Sequence, residues 1–190
     1  MAATSLDLLQ GTLDLLILRT LAWDPMHGYT VARTIKERSK NVFLIEEGAL
    51  YPALHRLEQR GLVRGHVAEG LGLRRRRIFE LTVRGRAEFR RWQTQPVLRN
   101  DVVRNLDALM LRFAFMDEFA GKGAALRFLK GLHRELAAYI PSLWKYLKSN
   151  REHMPQSGRL ALESGIQGYE AQLRWTKAAM TAYGQSKGEK

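Results

Sequence analysis

The sequence predicts a mostly α-helical protein with one small β-hairpin, divided into an N-terminal domain over residues 1–95 and a C-terminal helical domain over residues 96–190. Three observations indicate this fold class. Apolar residues recur at helical spacing in three N-terminal segments, an alternating run follows on either side of two glycines, and two long stripes of 3–4 spacing occupy the C-terminal part. Pro96 separates the two regions.

The composition limits the class of protein. Of the 190 residues, 45% are hydrophobic, which is ordinary for a globular chain, and none is cysteine. The lack of cysteine excludes disulfides, thiolate-bound zinc and thiol catalysis. No apolar run approaches the roughly 20 residues that span a bilayer, and Met1–Asp7 lacks the features of a secretory signal. We therefore expect a cytoplasmic protein that does not enter a membrane.

The net charge of +12 favours a polyanionic partner. Residues 62–91 hold nine basic residues against three acidic ones, so half of the net excess lies in a short part of the chain. A long basic amphipathic helix would indicate a membrane surface, whereas here the charge lies on a short hairpin. The distribution therefore favours nucleic acid over a membrane.

Two helices are predicted near the N-terminus. Residues 8–22 carry leucines and Ile17 near helical spacing, which is typical of a largely buried helix. Asp24-Pro25 ends this helix, because the residue before proline is pushed out of the α region. A second helix is expected from about His27 to Ser39, with an apolar side made of Tyr29, Val31, Ala32 and Ile35.

The third helical segment, EEGALYPALHRLEQRGL, separates a buried stripe from an outer face. Leu50, Leu54 and Leu57 fall at i, i+4 and i+7 and form the buried stripe. At about 100° per residue, the opposite side and its flanks form the outer face, which holds Ala49, Tyr51, Pro52, His55, Arg56 and Gln59.

Pro52 bears on where this helix begins. Proline costs roughly 3 kcal/mol in a helix interior and little in the first turn, where the amide has no partner. Two interpretations stay open: the regular helix begins near Gly48–Ala49, or it bends at the proline. Gly61 is expected to end the helix as its C′ residue.

Residues 62–82 predict a β-hairpin. Val63 and Val67 alternate on one arm, Arg77, Phe79 and Leu81 alternate on the other, and AEGLGL supplies the turn. Thr82 is the expected N-cap of a fourth helix. Three helices followed by a hairpin constitute a winged helix-turn-helix, in which the third helix enters the DNA major groove and the hairpin lies along the backbone or the adjacent minor groove.

Four consecutive arginines, Arg74 to Arg77, occupy this hairpin. Adjacent like charges repel, but each phosphate that they neutralise releases counterions from DNA and offsets the repulsion. A solvated basic face is the alternative, and the neighbouring third helix makes DNA the favoured interpretation. The predicted DNA contacts are therefore the outer face, with Ala49, Tyr51, Pro52, His55, Arg56 and Gln59, together with Arg74, Arg75 and Arg76.

Three motifs carry a family resemblance. In order they are LLQGTLDLLILRTLAWDPMHGYTVARTI, GALYPALHRLEQRGLV and RRIFELTVRGR, and together they cover about residues 8–90. At this order and spacing the chain resembles the PadR-like transcriptional regulators. The resemblance implies a winged helix-turn-helix with a C-terminal helical dimerisation region. Ala49 replaces the usual Ser or Thr and Ile78-Phe79 the usual aromatic pair, so wing packing and operator preference are expected to differ.

The C-terminal part predicts a helix ending near Met116 and then two heptad stripes. The first stripe consists of Leu126, Leu129, His133, Leu136, Ile140, Leu143 and Leu147, and Pro141 should bend its helix. After a break at residues 153–158, the second consists of Leu162, Ile166, Tyr169, Leu173, Thr176, Met180 and Tyr183. The stripes could pair within one chain as a helical hairpin, but they favour a symmetric dimer, which suits DNA with two half-sites.

The leading functional hypothesis is a sequence-specific DNA-binding transcriptional regulator. We expect a dimeric repressor on a palindromic operator, released by a small-molecule effector. The resemblance to PadR-like regulators implies that a flat aromatic compound is sensed, and Trp92 is the candidate stacking platform for it. The alternative is an adaptor whose winged helix binds a protein without sequence-specific DNA binding. The histidines lack metal-ligand spacing and no serine lies in a nucleophile motif. An enzyme, a metal and a cofactor are therefore not expected.

Overall fold

The computed structural model describes residues 5–39, 45–68 and 76–185, and it divides into two compact units, Met1–Trp92 and Gln93–Lys190. The described elements of the first unit are α1 (Ser5–Trp23), β1 (Met26–His27), α2 (Gly28–Arg38), α3 (Glu47–Gln59), β2 (Val63–Ala68), β3 (Arg76–Leu81) and α4 (Val83–Thr94), whose last two residues belong to the second unit. Three helices followed by a β2–β3 hairpin confirm the predicted winged helix-turn-helix. We call this hairpin the wing.

The short strand β1 is an element that the sequence did not predict. Met26 pairs with Phe79 and His27 with Ile78, which gives an antiparallel sheet of order β1-β3-β2. His27 therefore has an extended backbone and occupies the position before the first residue of α2, with no capping hydrogen bond from its side chain. Two residues are too few to show an alternating pattern, so only the pairing with β3 reveals the strand.

The prediction that Tyr29 belongs to the apolar side of α2 is wrong. This side chain is 62% exposed, whereas Val31 and Ile35 are buried. The core side of the helix follows Gly28, Val31 and Ile35 at i, i+3 and i+7, and Tyr29 lies about 100° away from Gly28. Tyr29 is thus part of the surface.

The faces of α3 lie as the sequence predicts. Leu50, Leu54 and Leu57 are at most 1% exposed, as are Ile17 and Leu21 of α1, the helix that α3 contacts. The helix begins at Glu47, within one residue of the first interpretation, so Pro52 lies in its second turn. The proline removes the amide that would otherwise donate to the Gly48 carbonyl.

Gly61 ends α3 as predicted. Its φ of +68° is the left-handed conformation that glycine adopts at little cost. The Gly61 amide donates to the Glu58 carbonyl at 2.8 Å, and the Leu62 amide donates to the Leu57 carbonyl at 2.9 Å. These two bonds form a Schellman motif, which turns the chain directly into β2.

Thr82 joins this turn to the next helix. Its Oγ1 accepts a hydrogen bond from the Gly85 amide at 2.9 Å, which confirms Thr82 as the N-cap of α4. The same hydroxyl donates to the Gly61 carbonyl at 2.7 Å, and the Thr82 amide donates to the Leu62 carbonyl at 3.1 Å. The two ends of the wing are therefore fastened to the C-terminus of α3.

The described part of the second unit is helical. Its elements are α5 (Arg99–Arg104), α6 (Leu106–Ala114), α7 (Met116–Phe119), α8 (Lys122–Asn150), a 3-10 turn (Arg151–His153) and α9 (Gln156–Gln185). α8 continues through Pro141, and α5 is a helix that the sequence did not predict. No described helix is long and apolar enough to cross a membrane.

The two heptad stripes pack against each other within the chain. Leu129, Leu136, Ile140 and Leu147 of α8 form one core with Ile166 of α9. The polar positions of the stripes also meet, since His133 Nδ1 lies 2.9 Å from Thr176 Oγ1. The helical hairpin, the alternative that the sequence left open, is therefore the arrangement within the chain, and the symmetric dimer stays a prediction.

Replacing Gly85 by alanine should destabilise the first unit. A Cβ at this position would overlap the backbone carbonyl oxygen of Leu62, and overpacking of this kind costs roughly 1–3 kcal/mol or more. Urea unfolding should show the lower stability. The control is Gly48→Ala, since no atom lies within 4 Å of the added Cβ and alanine is favoured in a helix by up to about 1 kcal/mol. Equal stability of the two variants would contradict the close approach of α4 to Leu62.

Candidate nucleic-acid interface

The outer face of α3 presents mostly uncharged side chains to solvent. Ala49, Pro52, His55 and Gln59 are exposed, and Tyr51 is 46% exposed. The His55 and Gln59 side chains contact each other, with their Nε2 atoms 3.0 Å apart. These groups place apolar surface, hydrogen-bond donors and hydrogen-bond acceptors on one side of one helix. Base edges are contacted through the same kinds of group.

The ring of Tyr51 extends this face to the start of α2. It lies so close to Gly28 that a Cβ on this glycine would be 2.9 Å from Tyr51 Cε1. Glycine at position 28 is therefore needed for the ring to lie against the backbone. The exposed Tyr29 follows directly in the chain, so two tyrosines border the outer face at this end.

Arg56 has a contact that the sequence did not reveal. Its Nη2 donates to Asp14 Oδ1 of α1 at 3.1 Å, and Arg60 Nη1 lies 3.4 Å from Asp14 Oδ2. The Asp14 side chain is only 14% exposed and that of Arg56 is 36% exposed. Arg56 thus fastens α3 to α1 at the edge of the outer face, and its contact with DNA stays a prediction.

Glu58 connects α3 to both strands of the wing. Its carboxylate accepts two hydrogen bonds from Arg77 Nη2 of β3, at 2.7 and 2.8 Å, and one from the Gly65 amide of β2, at 2.9 Å. Gly65 leaves room for the guanidinium, since a Cβ there would lie 2.5 Å from Arg77 Nε. One of the four consecutive arginines therefore has a structural partner.

The other wing arginines have different positions. Arg76 is the first residue of β3 and pairs in register with Ala68, whereas Arg74 and Arg75 lie outside the described residues. On the opposite face of the sheet from Arg77, Arg64 Nε donates to Glu80 Oε1 at 2.8 Å across the strands. The predicted contacts of Arg74, Arg75 and Arg76 with DNA phosphates stay predictions.

Trp92, the predicted effector platform, is partly buried at the end of the first unit. Its ring stacks on Phe89, with a centroid separation of 6.1 Å and an interplanar angle of 22°. Phe89 is 3% exposed, so one side of the indole already has an aromatic neighbour.

Three residues that position this surface were missed from the sequence: Asp14, Glu58 and Arg77. Asp14 lies among leucines of α1, and a carboxylate buried there needs a basic partner, so its position was a usable signal. Glu58 lies in a segment rich in basic residues, but nothing in its spacing predicts a contact with Arg77. That pairing depends on how the wing folds back on α3.

The sequence is similar to known proteins. A family model described as the transcriptional regulator PadR-like family matches residues 17–91. "Uncharacterized protein X" of Lysinibacillus sphaericus is 30% identical over 81 residues, which cover 43% of this chain and 74% of that protein.

Solved structures with similarity to the chain include two further proteins. Bacillus subtilis PadR in complex with operator DNA is 18% identical, with 90% of this chain and 98% of that chain covered and a TM-score of 0.41. A PadR family transcriptional regulator from Eggerthella lenta is 28% identical, with 55% and 87% covered and a TM-score of 0.43.

Replacing Arg56 by alanine should destabilise the first unit by roughly 1–2 kcal/mol at pH 7, since a largely buried carboxylate loses a charged hydrogen bond. Burial raises the pKa of Asp14, while Arg56 and Arg60 act in the opposite direction. A raised pKa in the folded state means that the stability contributed by Asp14 is present at low pH and is lost as pH rises through that pKa. Without Arg56 the pKa of Asp14 rises further, so the variant should lose more stability relative to the wild-type chain at pH 7 than at pH 4.

Urea unfolding at both pH values measures the difference. Arg33→Ala is the matched control, because Arg33 also pairs with a carboxylate, that of Glu37, but both side chains are more than 60% exposed. Exposed pairs contribute at most about 1 kcal/mol, so this variant should change little at either pH. A destabilisation by Arg56→Ala that is the same at pH 4 and pH 7 would show that Asp14 is not the group responsible.

Proposed function

Since the chain belongs to the PadR-like family of transcriptional regulators, we propose that it binds a specific double-stranded DNA operator through the outer face of α3 and the wing. The family consists of transcriptional regulators and not of enzymes. The observation that carries the proposal is the division of α3, in which Leu50, Leu54 and Leu57 are committed to the core while the opposite side is exposed. A helix with one buried and one free face, followed by a basic hairpin, fits the major groove and the adjacent backbone.

Each type of side chain on the outer face has a role in this proposal. Tyr51 and Pro52 supply apolar contact to thymine methyl groups, and the small Ala49 lets the helix backbone approach the bases. His55 and Gln59 hydrogen-bond to base edges, for which Gln suits adenine. Arg56 uses Nη2 in its hydrogen bond with Asp14, so the rest of its guanidinium can donate to guanine. Arg74, Arg75 and Arg76 neutralise phosphates.

The protein acts in this proposal as a homodimeric repressor on a palindromic operator. Exposed apolar side chains on α8 and α9, namely Trp144, Tyr146 and Leu160, support a contact between two copies. Sedimentation equilibrium should give twice the mass of the chain, and a single-chain mass at working concentration would contradict the dimer. An effector that contacts Trp92 and releases the DNA belongs to the same proposal, and the cytoplasmic location stays a prediction.

Footprinting on the DNA upstream of the protein's own gene tests the proposed activity. A protected palindrome whose affinity falls steeply with salt is the expected result, because phosphate contacts release counterions. Weak binding with no preferred sequence would favour the adaptor instead, in which the winged helix contacts another protein.

Replacing His55 by alanine should relax base preference without unfolding the protein. The side chain is exposed and hydrogen-bonds with Gln59, and a good base contact contributes roughly 1–3 kcal/mol of discrimination. Competition gel shifts with single-base operator variants should show weaker discrimination at one or two positions. Lys36→Ala, an exposed position on α2, is the control and should keep the full preference. An equal fall in affinity for all sequences would place His55 away from the bases.

Replacing Arg74 and Arg75 by alanine should instead weaken binding to all DNA. The slope of log affinity against log salt should decrease by about one unit for each phosphate that the variant no longer neutralises. The control is Lys145→Ala with Lys148→Ala, which removes two exposed charges from α8. An unchanged slope in the arginine variant would place both arginines away from the phosphates.

A further inference from the structure

The wing of this protein is attached to α3 at two separate levels. At its base, Thr82 joins the strand ends to the C-terminus of α3. The second attachment lies further along the hairpin, where Glu58 meets Gly65 and Arg77. Arg77 lies four residues before Leu81, the last residue of β3, which is about 13 Å along a strand. A hairpin that is held at both levels cannot pivot about its base.

Glu58 takes the place of a neighbouring strand at one edge of the sheet. The strand order β1-β3-β2 leaves β2 at the edge, where an outward-pointing amide has no further strand to bond. The Gly65 amide donates to Glu58 Oε1 at 2.9 Å, so a side chain of α3 satisfies this amide. Because the donor belongs to the backbone, the bond fixes the position of β2 itself and not only that of a side chain.

Arg77 crosses β2 to reach the same carboxylate. It pairs in register with Val67, and Gly65 lies two residues before Val67 on the same face of the sheet. Gly65 has no side chain, so the guanidinium can pass over its backbone, where a Cβ would lie 2.5 Å from Arg77 Nε. The Nη2 group then donates to both Glu58 oxygens, at 2.7 and 2.8 Å. Glu58 is therefore joined to both strands of the wing.

We propose that Glu58, Gly65 and Arg77, which we call the wing latch, hold the wing at one angle to α3, so that both bind DNA as a single unit. Glu58 and Arg77 are positioning residues here, and their effect on binding rests on the proposed function. A wing that is free to pivot would adopt the binding orientation only part of the time. If an unlatched wing spends about a tenth of its time there, operator affinity falls roughly tenfold.

A direct contact of Arg77 with a phosphate is the alternative, and the sign of two charge changes separates it from the wing latch. Glu58→Gln adds one net positive charge and Arg77→Gln removes one. Charge alone predicts tighter DNA binding by the first variant and weaker binding by the second. The wing latch predicts that both bind the operator roughly tenfold more weakly. Gly65→Ala displaces the guanidinium without a change of charge, so it should weaken binding too.

Glu80→Gln is the matched control for these gel-shift titrations on the full chain. It makes the same change of charge in the same hairpin as Glu58→Gln, and it breaks the bond of 2.8 Å between Arg64 Nε and Glu80 Oε1. That pair joins the two strands to each other, so Glu80→Gln should bind the operator at least as tightly as the wild-type chain. Equally tight binding by Glu58→Gln would overturn the proposal.

A double-mutant cycle with the wing arginines separates positioning from a general loss of structure. Arg74→Ala with Arg75→Ala removes the proposed phosphate contacts, so adding Glu58→Gln to that variant should change operator affinity by less than about twofold. An equally large loss in both backgrounds would show a general defect and overturn the proposal. The arginine variant by itself tests the proposed wing contacts, so a failure of the proposed function is seen separately.

Pulsed EPR tests the wing latch without DNA. The chain has no cysteine, so His66→Cys on β2 and Lys36→Cys on α2, both exposed positions, can each carry one nitroxide. With labelled protein diluted in unlabelled chain, the distance distribution should be narrow in the wild-type background and broad in Glu58→Gln, because an unlatched wing adopts several orientations. Glu80→Gln should keep it narrow. If Glu58→Gln does not fold, Gly65→Ala replaces it. A narrow distribution in the latch variant would overturn the proposal whether or not the protein binds DNA.

Discussion

The arrangement of α3 and the wing depends on the hydrogen bonds of Thr82. A helix end leaves carbonyl groups without partners and a helix start leaves amide groups without partners. The Thr82 hydroxyl serves both, because it donates to the Gly61 carbonyl and accepts from the Gly85 amide. Since Gly85 has no side chain, α4 can lie directly against the Leu62 carbonyl. The Thr82 hydroxyl and the backbone groups around it thus set the angle between α3 and the wing.

Carboxylates decide which basic residues of the first unit are used inside the protein and which remain available to a polyanion. Asp14 engages Arg56 and Arg60, and Glu58 engages Arg77. These pairs hold α3 against α1 and against the wing, so their charge is partly used inside the protein. The count of 31 lysines and arginines therefore overstates how many basic side chains are available to a polyanion. Because the Asp14 carboxylate is largely buried, it needs its basic partners: without them it would lose its hydration and gain nothing in return.

The sequence predicted the features that depend on neighbours in the chain. The stripe on α3, the C′ role of Gly61 and the N-cap role of Thr82 follow from local spacing and local hydrogen bonds, and all are confirmed. Features that need distant partners were missed. β1 exists only through pairing with β3, and the contact of Glu58 with Arg77 needs the wing to fold back. The heptad stripes were recognised, but spacing alone could not decide between a partner in the same chain and one in a second copy.

The contact of His133 with Thr176 bears on how the hairpin of α8 and α9 selects a single alignment. The Thr176 hydroxyl donates to the Leu173 carbonyl at 2.7 Å, so its oxygen is left to accept from His133 Nδ1, which fixes the tautomer of the imidazole. Leucine-rich stripes alone would tolerate sliding, because one apolar contact resembles the next. Sliding by one stripe position would bring His133, which is partly buried, opposite Leu173 or Met180 and leave its N–H without a partner. An unpaired donor costs up to about 1–3 kcal/mol when it is buried. One polar pair therefore discriminates against misaligned hairpins that hydrophobic packing would accept.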